Sequence, residues 1–413
     1  MSGTSMDGID AALIETDGSE NHIQALGAAT LDYHPAFKIL LKATECAIRQ
    51  YRGDLIQAEK YFAEVLPRYL SHELQLEATP EKLAELQAYL GLPLTIANVV
   101  KHSTHLHIQI VNKLVKQNPH VPVDVIGYHG QTFFHQPLNQ ISIILGDGQA
   151  VADATGITVV NDFRRQDIEN GGQGAPFAPL YHFALAKRDA HIPCAIVNCG
   201  GLANITYIPS SKMDDILAFD TGPGNGLLDK LVRQRTAGLE NMDKDGRYAA
   251  KGKVHAEVLK ALYAKALPPG FWELLAPKSL DVGDLYLIPE LNALSLADAC
   301  RTLAAFTADS IANCLDLLEV SIPPLWILAG GGWKNPIIIE EFAQRLKQKS
   351  PHALHIKTAD EIGWDGQALE AQIFAYLAVR SLQGKVLSLP GTTRVKQPMT
   401  GGKTYVPNKM RVS

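Results

Sequence analysis

The segment PCAIVNCGGLANITYIP, residues 193–209, predicts a strand, a tight Gly-Gly turn and a second strand, with a turn of phosphate-binding size. The first residues, SGTSMDGIDAALIE (2–15), look like the same hairpin with its entry arm missing. Each hairpin is followed much later by a short buried strand that ends in a polar or glycine-rich loop. These strands are VIGYHGQT (125–132) and WILAGGGWKN (326–335). This weak internal duplication predicts two similar α/β domains that face each other across a cleft.

Composition describes an ordinary globular protein. The 413 residues allow two or three domains, and 46% hydrophobic content with a net charge of −5 is typical of soluble chains. No basic excess favours nucleic acid, and no Lys/Arg-rich helix favours a membrane surface. MSGTSMDGID lacks the features of a secretory signal, and Asp147 and Asp153 interrupt the apolar stretch 141–160. Five cysteines without CxxC spacing argue against a disulfide scaffold or a zinc site and favour a reducing cytoplasm.

Residues 35–120 have mostly helical periodicity, clearest over 58–74 and weaker over 97–114. His102, His105 and His107 cluster in the second stretch, where we expect solvated helix histidines rather than a metal site. Buried strands are predicted over 123–127, 141–148 and 157–160.

In the second half, a capping box at Ser295 opens a helix to about Leu318, whose apolar stripe runs through Cys300, Leu303, Thr307, Ile311 and Cys314 or Leu315. A last helix is predicted over 366–382.

The segment NDFRRQDIENGGQGAPFAPLYH (161–182) places Asp162 and Arg164 where a predicted strand stops. The glycines 171–174 follow, and Ala175-Pro176 is predicted to open a helix. A carboxylate beside a guanidinium at a strand end suits a general base in an α/β enzyme. An ordinary Asp–Arg pair that closes a loop is the alternative, and these residues alone leave both open.

Three other loops have the composition of ligand sites. In GTSMDGID (3–10), backbone N–H groups and the hydroxyls of Thr4 and Ser5 suit a phosphate, and Asp7 or Asp10 suits a magnesium ion, although most such turns are only turns. The segment 128–132 follows the carboxyl end of a strand, where it is either a ligand site or a capped turn. FDTGPGNG (219–226) is consistent with Mg²⁺–phosphate contact. Neither GxGxxG in the dinucleotide context nor GxxxxGK[ST] occurs, which removes the two commonest nucleotide loops.

Together these loops resemble the conserved loops of one protein family. GTSMDGID, GYHGQTFFH (127–135), LGDG (145–148), NDFR, GGQGAP, NCGGLANIT (198–206), FDTGPGN, PKSLD (277–281) and LAGGGWKNP (328–336) follow the order seen in anhydro-N-acetylmuramic acid kinases. The resemblance spans nearly the whole chain and is specific in combination. It places the chain in the superfamily of sugar and acetate kinases, heat-shock ATPases and actin.

The resemblance implies two ribonuclease-H-like α/β domains, an actin-like ATPase fold, facing across a nucleotide cleft. The expected division is 1–163, joined by the C-terminal helical segment 375–413, and 164–374. It also implies ATP and Mg²⁺, a small amino-sugar substrate, a cytoplasmic homodimer, and no nucleic-acid or membrane partner. The implied reaction belongs to peptidoglycan recycling: 1,6-anhydro-N-acetylmuramic acid, water and ATP give N-acetylmuramic acid 6-phosphate and ADP.

Residue roles carry over by position. Asp162 matches the proposed base, and Asp7 matches an indirect metal contact through water. The residues expected to bind ATP are Gly3, Thr4, Ser5, Met6, Asp7, Gly8, Ile9 and Asp10 in the first phosphate loop, Gly200, Gly201 and Asn204 in the second, Asp220, Gly222, Gly224 and Asn225, and Gly330, Gly331 and Gly332 in the adenosine loop. The expected sugar contacts are His129, Gln131, Thr132, Arg164 and Glu370; for Glu370, compensation of a helix dipole is the alternative.

The chain departs from the family pattern at a few points. Family members have a strand before the first phosphate loop, so we expect unpaired strand edges and a loop, including Thr4, Ser5 and Asp7, held on one side only. Cys199 replaces an aliphatic residue, and residues 281–285 and 389–402 follow the pattern loosely. Two alternatives remain: a simple kinase of another sugar, and a non-catalytic ATP-binding regulatory protein.

Overall fold

The computed structural model describes residues 1–3, 6–74, 76–136, 139–318, 320–350 and 352–408. Contacts between residues divide the chain into two compact units. Unit 1 comprises Met1–Gly174, Gln367–Ser388 and Lys396–Ser413, and unit 2 comprises Ala175–Gly366 and Leu389–Val395. Each unit combines strands with helices, so the predicted α/β class is confirmed. The domain boundaries drawn from the sequence at 163 and 374 stay predictions.

The elements are numbered in chain order. The strands are β1 (Gly8–Thr16), β2 (Ile23–Asp32), β3 (Val125–Tyr128), β4 (Gln131–Gln136), β5 (Ile141–Leu145), β6 (Thr158–Asn161), β7 (Cys194–Cys199), β8 (Leu202–Ile208), β9 (Leu217–Pro223), β10 (Leu325–Ala329), β11 (His355–Thr358) and β12 (Lys403–Tyr405). The α-helices are α1 (Pro35–Gln50), α2 (Leu55–Glu73), α3 (Pro80–Leu90), α4 (Ile96–Gln117), α5 (Gly148–Thr155), α6 (Arg165–Glu169), α7 (Pro179–Arg188), α8 (Gly226–Arg235), α9 (Ala256–Lys265), α10 (Leu296–Ala312), α11 (Pro336–Lys349), α12 (Leu369–Leu382) and α13 (Pro390–Thr393).

The described strands of unit 1 form three small sheets. β1 pairs antiparallel with β2, β4 pairs antiparallel with β5, and the third sheet has the order β12–β6–β3. β3 and β6 are parallel, whereas β12 runs antiparallel to β6. The predicted helical stretch forms α1–α4, and the side chains of Asp54, Thr79 and Thr95 cap three of these helices. Their apolar faces join Ile9 of β1 in one core.

The prediction of solvated histidines on α4 is wrong for His107. His105 is exposed, but His107 is buried, and its Nδ1 lies 2.8 Å from the carbonyl oxygen of Ser103. Burial lowers the pKa of His107 to about 3. His102 is half-buried, and its ring centroid lies 4.9 Å from that of Phe37. The helical face turned toward the core therefore holds two of the three rings.

In the described part of unit 2, the strands form one five-stranded sheet with the order β11–β10–β7–β8–β9. The predicted hairpin is confirmed as β7 and β8, which pair antiparallel from Cys194–Ile208 to Cys199–Ala203. β7 also pairs in parallel with β10, so it is the central strand. Three antiparallel strands followed by two parallel ones give the ribonuclease-H-like order expected from the resemblance. Across the described ranges, no helix is both long and apolar enough to span a membrane.

Several helix boundaries in the structure differ from the predicted ones. The Asp147 carboxylate accepts from the N–H of Ala150, so 148 begins helix α5 instead of ending a strand. The helix expected at Ala175-Pro176 begins at Pro179, its first helical position. Ser295 caps α10 as predicted, but that helix ends at Ala312 rather than near Leu318. Helix α12 begins at Leu369 rather than 366.

Gly127 of β3 is required by close packing against α12. A β-carbon at Gly127 would lie 2.0 Å from the carbonyl oxygen of Phe374. Gly127→Ala should therefore destabilise the protein by about 1–3 kcal/mol, the usual cost of overpacking, and should lower the Tm in a thermal melt. Gly331→Ala is the matched control, since a β-carbon there meets nothing within 4 Å. Equal melting temperatures for the two variants would contradict this packing argument.

Candidate active site

Asp162 lies directly after the carboxyl end of β6, in the left-handed backbone region with φ 57°. Its carboxylate forms an ion pair with Arg165 Nε at 2.7 Å, and the Asp162 side chain is 21% exposed. Arg164, the neighbour expected from the sequence, is not this ion-pair partner. Burial raises the pKa of Asp162, while Arg165 and Lys403 act to lower it. The Asp162 carboxylate is thus accessible, and it is more basic than the carboxylate of an exposed Asp.

Arg164 instead connects two loops of unit 1. One guanidinium nitrogen donates to the carbonyl oxygen of Gly174 at 2.9 Å, and the other lies 3.1 Å from His129 Nε2. His129 Nδ1 lies 2.9 Å from the carbonyl oxygen of Gly130. Burial, followed by the Arg164 charge, holds the pKa of His129 well below its usual range, so the ring is neutral. Since both ring nitrogens have protein partners, His129 is a positioning residue for Arg164.

Asp167 fixes the glycine segment that follows Asp162, and the sequence did not single it out. Its buried carboxylate accepts from the N–H of Gly174 at 2.6 Å, and its carbonyl accepts from Gly172 at 2.9 Å. The signal in the sequence was an acidic residue a few positions before GGQG, a common pattern that is weak by itself. Asp167 therefore shapes the loop whose Gly174 carbonyl orients Arg164.

Asp167→Ala should lower kcat/KM about 3- to 10-fold. Loss of the Asp167 contact loosens the loop, and Arg164 is then slightly misplaced. ATP affinity should be unchanged, since the effect is confined to residues that the resemblance places at the sugar. Glu169→Ala is the matched control, an exposed carboxylate in the same short helix. Steady-state kinetics with a melting curve for each variant make the comparison. A loss of activity shared by both variants would point to the helix and not to the Asp167 contact.

The first loop is tied to the strand end at residues 128–132. Gln131 is fully buried, and its Nε2 donates to the carbonyl oxygen of Gly3 at 3.1 Å. Ser2 Oγ donates to the carbonyl oxygen of Gly130 at 3.1 Å. Met6 and Ile9 belong to the hydrophobic core, and the N–H of Met6 donates to the carbonyl oxygen of Gly3 at 3.2 Å. Thr4 and Ser5 lie outside the described residues.

The acidic residues of this loop, Asp7 and Asp10, each interact with a polar side chain of the protein. The Asp7 carboxylate lies 3.2 Å from Lys38 Nζ, and both side chains are well exposed. Asp10 accepts from Thr30 Oγ1 at 2.8 Å. Within the described ranges, no group of three or more His, Cys, Asp or Glu side chains is arranged to hold a metal ion. A magnesium ion that arrives with phosphates needs only one or two carboxylates, so Asp7 fits a single indirect contact.

Glu370, in the first turn of α12, belongs to the same charged region of unit 1. Glu370 is exposed at the surface, yet the surrounding protein removes water from its carboxyl group and so raises the pKa of that group. The Asp10 carboxylate raises the pKa further, and Arg164 lowers it. Thr132 on β4 is half-buried. Of the five expected sugar contacts, Thr132, Arg164 and Glu370 are therefore accessible, whereas His129 and Gln131 are buried supports.

The glycines expected to bind ATP in unit 2 fall into two classes. At Gly331 a β-carbon would meet nothing within 4 Å, and at Gly200 and Gly201 the nearest atoms lie at 3.9 and 3.6 Å. At Gly224, Gly330 and Gly332, three of the remaining four, a β-carbon would collide with the β7–β8 hairpin. It would lie 1.9 Å from Gly200 O at Gly224, 2.5 Å from Asn198 Oδ1 at Gly330, and 2.4 Å from Cys199 Sγ at Gly332. The first class leaves room for a ligand, and the second packs the loops together.

The loop after β9 is fixed to the same hairpin. The backbone N–H of Asn225 donates to the Gly200 carbonyl at 2.8 Å, and Thr307 Oγ1 of α10 donates to the Gly224 carbonyl at 2.6 Å. Asp220 accepts from the N–H of Leu280 at 2.7 Å, so its carboxylate holds the PKSLD segment. Asn204 on β8 faces Asp220 in register. Gly222 has φ 140°, beside Ser310. The sequence predicts Thr307 only as a core residue, and the contact with Gly224 shows that it also anchors this loop.

The family model for anhydro-N-acetylmuramic acid kinase matches residues 78–407. The chain belongs to this family. A relative from Rhodospirillum rubrum, an anhydro-N-acetylmuramic acid kinase, is 37% identical over 408 residues, covering 98% of this chain and 93% of the relative. A second, from Nitrobacter winogradskyi, is 39% identical and covers 97% of each chain. The family resemblance seen in the ordered motifs is thus confirmed.

Among solved structures, the activator of the 2-hydroxyisocaproyl-CoA dehydratase from Clostridium difficile with bound ADPNP aligns with 59% of this chain and 87% of its own. The identity is 12% and the TM-score 0.31. This likeness is too distant to carry an argument. Family membership rests on the sequence matches.

Proposed function

We propose that the protein is an ATP-dependent kinase that opens the 1,6-anhydro ring of 1,6-anhydro-N-acetylmuramic acid and phosphorylates O6. The products are N-acetylmuramic acid 6-phosphate and ADP. The observation that carries the proposal is the match to kinases of this name over nearly the full chain, with Asp162 at the end of β6 as a carboxylate of raised pKa. The alternatives, a simple kinase of another sugar and a regulatory protein, have no observation in their favour.

Asp162 supplies the base in this reaction. It accepts a proton from the water whose oxygen bonds to the anomeric carbon, and the bond from that carbon to O6 breaks. O6 keeps the electron pair of that bond and attacks the γ-phosphorus of ATP, so that ADP leaves. The Arg165 ion pair orients the carboxylate.

ATP would be held by the open glycines of unit 2. Gly200, Gly201 and Gly331 have space where a β-carbon would otherwise lie, so their backbone can approach a phosphate or a nucleoside closely. Phosphoryl transfer requires mainly positioning and neutralisation of charge. When bound with ATP, Mg²⁺ supplies part of that neutralisation, with Asp7 as a contact through water. On the sugar side, Arg164, Thr132 and Glu370 supply accessible polar groups. The proposal includes a cytoplasmic homodimer, which rests on the resemblance alone.

Mass spectrometry of the product tests the proposal. Purified protein, ATP, Mg²⁺ and the anhydro-sugar should give a product heavier than the substrate by one phosphoryl group and one water. A gain of the phosphoryl group alone would identify a simple kinase. ATP binding without turnover would identify a regulatory protein. N-acetylmuramic acid, which has no 1,6-anhydro bridge, serves as the comparison substrate because its phosphorylation requires no activated water.

The pH profile reports on the basicity of Asp162. The base must be deprotonated, so kcat/KM should fall on the acidic side as Asp162 takes up a proton. Because Arg165 lowers the pKa of Asp162, Arg165→Gln should shift this acidic limb to higher pH. Arg49→Gln, in α1, is the control. If the acidic limb stays in place or moves to lower pH in Arg165→Gln, the pH profile does not report the protonation of Asp162.

A further inference from the structure

The C-terminal strand β12 reaches the edge of the sheet at which Asp162 lies. β12 pairs antiparallel with β6, and its first residue, Lys403, is the partner of Asn161, which precedes Asp162. Paired Cα atoms in an antiparallel ladder lie about 5 Å apart. Gly401 is also close to this loop, because a β-carbon there would lie 3.2 Å from the carbonyl oxygen of Phe163. Lys403 therefore lies at the end of the sheet that holds the proposed base.

The segment that carries Lys403 is fixed at both ends. Before Lys403, Ser381 Oγ of α12 donates to the carbonyl oxygen of Gly401 at 2.5 Å. Beyond it, the N–H and the side-chain amide of Asn408 donate to the two carboxylate oxygens of Asp153 at 2.8 and 2.7 Å. These contacts hold the backbone of β12 in place, so the position of Lys403 beside β6 is preorganised.

The cations around Asp162 are engaged to different degrees. Arg165 forms the ion pair with Asp162, and Arg164 is held by a backbone carbonyl and a histidine ring. Lys403 is exposed, and across the described residues no carboxylate forms an ion pair with its ammonium group. Lys403 Nζ lies 5.0 Å from the centroid of the Tyr405 ring, a contact that is weak at an exposed site. The charge of Lys403 reaches Asp162, since it lowers the pKa of that carboxyl.

We propose that Lys403 binds the carboxylate of the sugar substrate and so selects a muramic acid sugar over the same sugar without the lactyl group. The inference rests on the proposed function. In 1,6-anhydro-N-acetylmuramic acid the carboxylate belongs to a lactyl ether on O3, and one ring carbon separates C3 from the anomeric carbon. A sugar whose anomeric carbon meets the water activated by Asp162 presents this carboxylate within reach of a lysine on the adjacent strand.

The electrostatics of the site favour this contact. The Asp162 carboxylate repels a second negative charge brought close to it, and the Lys403 ammonium offsets that repulsion. On binding, Lys403 exchanges its contact with the Tyr405 ring for a charge-assisted hydrogen bond, which is the stronger interaction. The contact is made equally in the ground state and in the transition state, so it should lower KM and leave kcat unchanged.

Two sugars separate the carboxylate from the rest of the substrate. 1,6-Anhydro-N-acetylglucosamine has the same bicyclic ring but carries a hydroxyl group on C3. Lys403→Gln should raise the KM for 1,6-anhydro-N-acetylmuramic acid about 10-fold and change kcat by less than about twofold. The inhibition constant of the glucosamine sugar, measured by competition, should stay unchanged. All assays are made above the acidic limb of the pH profile, so that Asp162 is deprotonated in every variant.

Two further variants control for the loss of charge. Lys403→Arg keeps the positive charge and should retain most of the affinity for the muramic sugar. Lys396→Gln removes another exposed lysine of the same C-terminal segment and should leave both constants unchanged. A thermal melt of each variant compares folding.

The outcomes distinguish this inference from the proposed function. No turnover of the muramic sugar by the unaltered protein would refute the proposed function, and the inference with it. With turnover established, the inference alone is overturned by any of three results: an unchanged KM in Lys403→Gln, an equal loss of affinity for both sugars, or the same rise in KM in Lys396→Gln.

Discussion

Asp162→Asn should lower kcat by about 10²–10⁴-fold, the usual contribution of a positioned general base. Asparagine keeps the size and polarity of the side chain but cannot accept the proton of the attacking water. ATP affinity should change little, because Asp162 lies in unit 1 and the open glycines expected to hold ATP lie in unit 2. Single-turnover kinetics and calorimetric ATP titration measure the two quantities separately.

The folded state should tolerate this replacement. The backbone at Asp162 has φ 57°, a region that asparagine adopts readily. Burial raises the pKa of the Asp162 carboxyl, so the stability it contributes is present below its unfolded pKa and is lost as the pH rises through the folded value. At neutral pH the charged carboxylate is therefore a cost that asparagine removes, and the Tm should be equal or higher. Glu257→Gln, an exposed carboxylate in α9, is the control. Activity within about threefold of wild type in Asp162→Asn would exclude the assigned base.

Gly331→Val should weaken ATP binding about 100-fold while the protein stays folded. A β-carbon at Gly331 would meet no protein atom within 4 Å beyond its chain neighbours, so a side chain there should leave the protein folded. It would instead occupy the place proposed for the adenosine part of ATP. Isothermal titration with ATP and a thermal melt of the same sample measure binding and folding together.

Gly332→Val provides the contrast within the same loop. Its β-carbon would lie 2.4 Å from Cys199 Sγ and 3.0 Å from the Cys199 carbonyl oxygen, so this variant should lose stability as well as binding. The pair distinguishes a glycine left open for a ligand from one demanded by the chain itself. Normal ATP affinity in a folded Gly331→Val protein would show that the adenosine loop has been assigned wrongly.

The sequence predicted the parts of the fold that contiguous residues encode. The β7–β8 hairpin followed from two β-branched runs around Gly200-Gly201, and α10 followed from the cap at Ser295 and an apolar stripe. The order of weak motifs identified the family, because the combination is specific where each motif is common. The ends of the helices were predicted less accurately than their existence, because a single capping contact such as that of Asp147 shifts a boundary by several residues.

Only the tertiary structure decided which side chains meet. Arg164 and Arg165 are adjacent and chemically alike, but packing turns Arg164 to His129, 35 positions earlier, and leaves Arg165 to Asp162. Gly330, Gly331 and Gly332 read identically in the sequence, yet Asn198 and Cys199 crowd two of them and leave Gly331 open. Local patterns record the periodicity of a strand or helix. The choice of partner and the free space around a residue depend on segments far away along the chain, and these are fixed only when the sheets and helices pack.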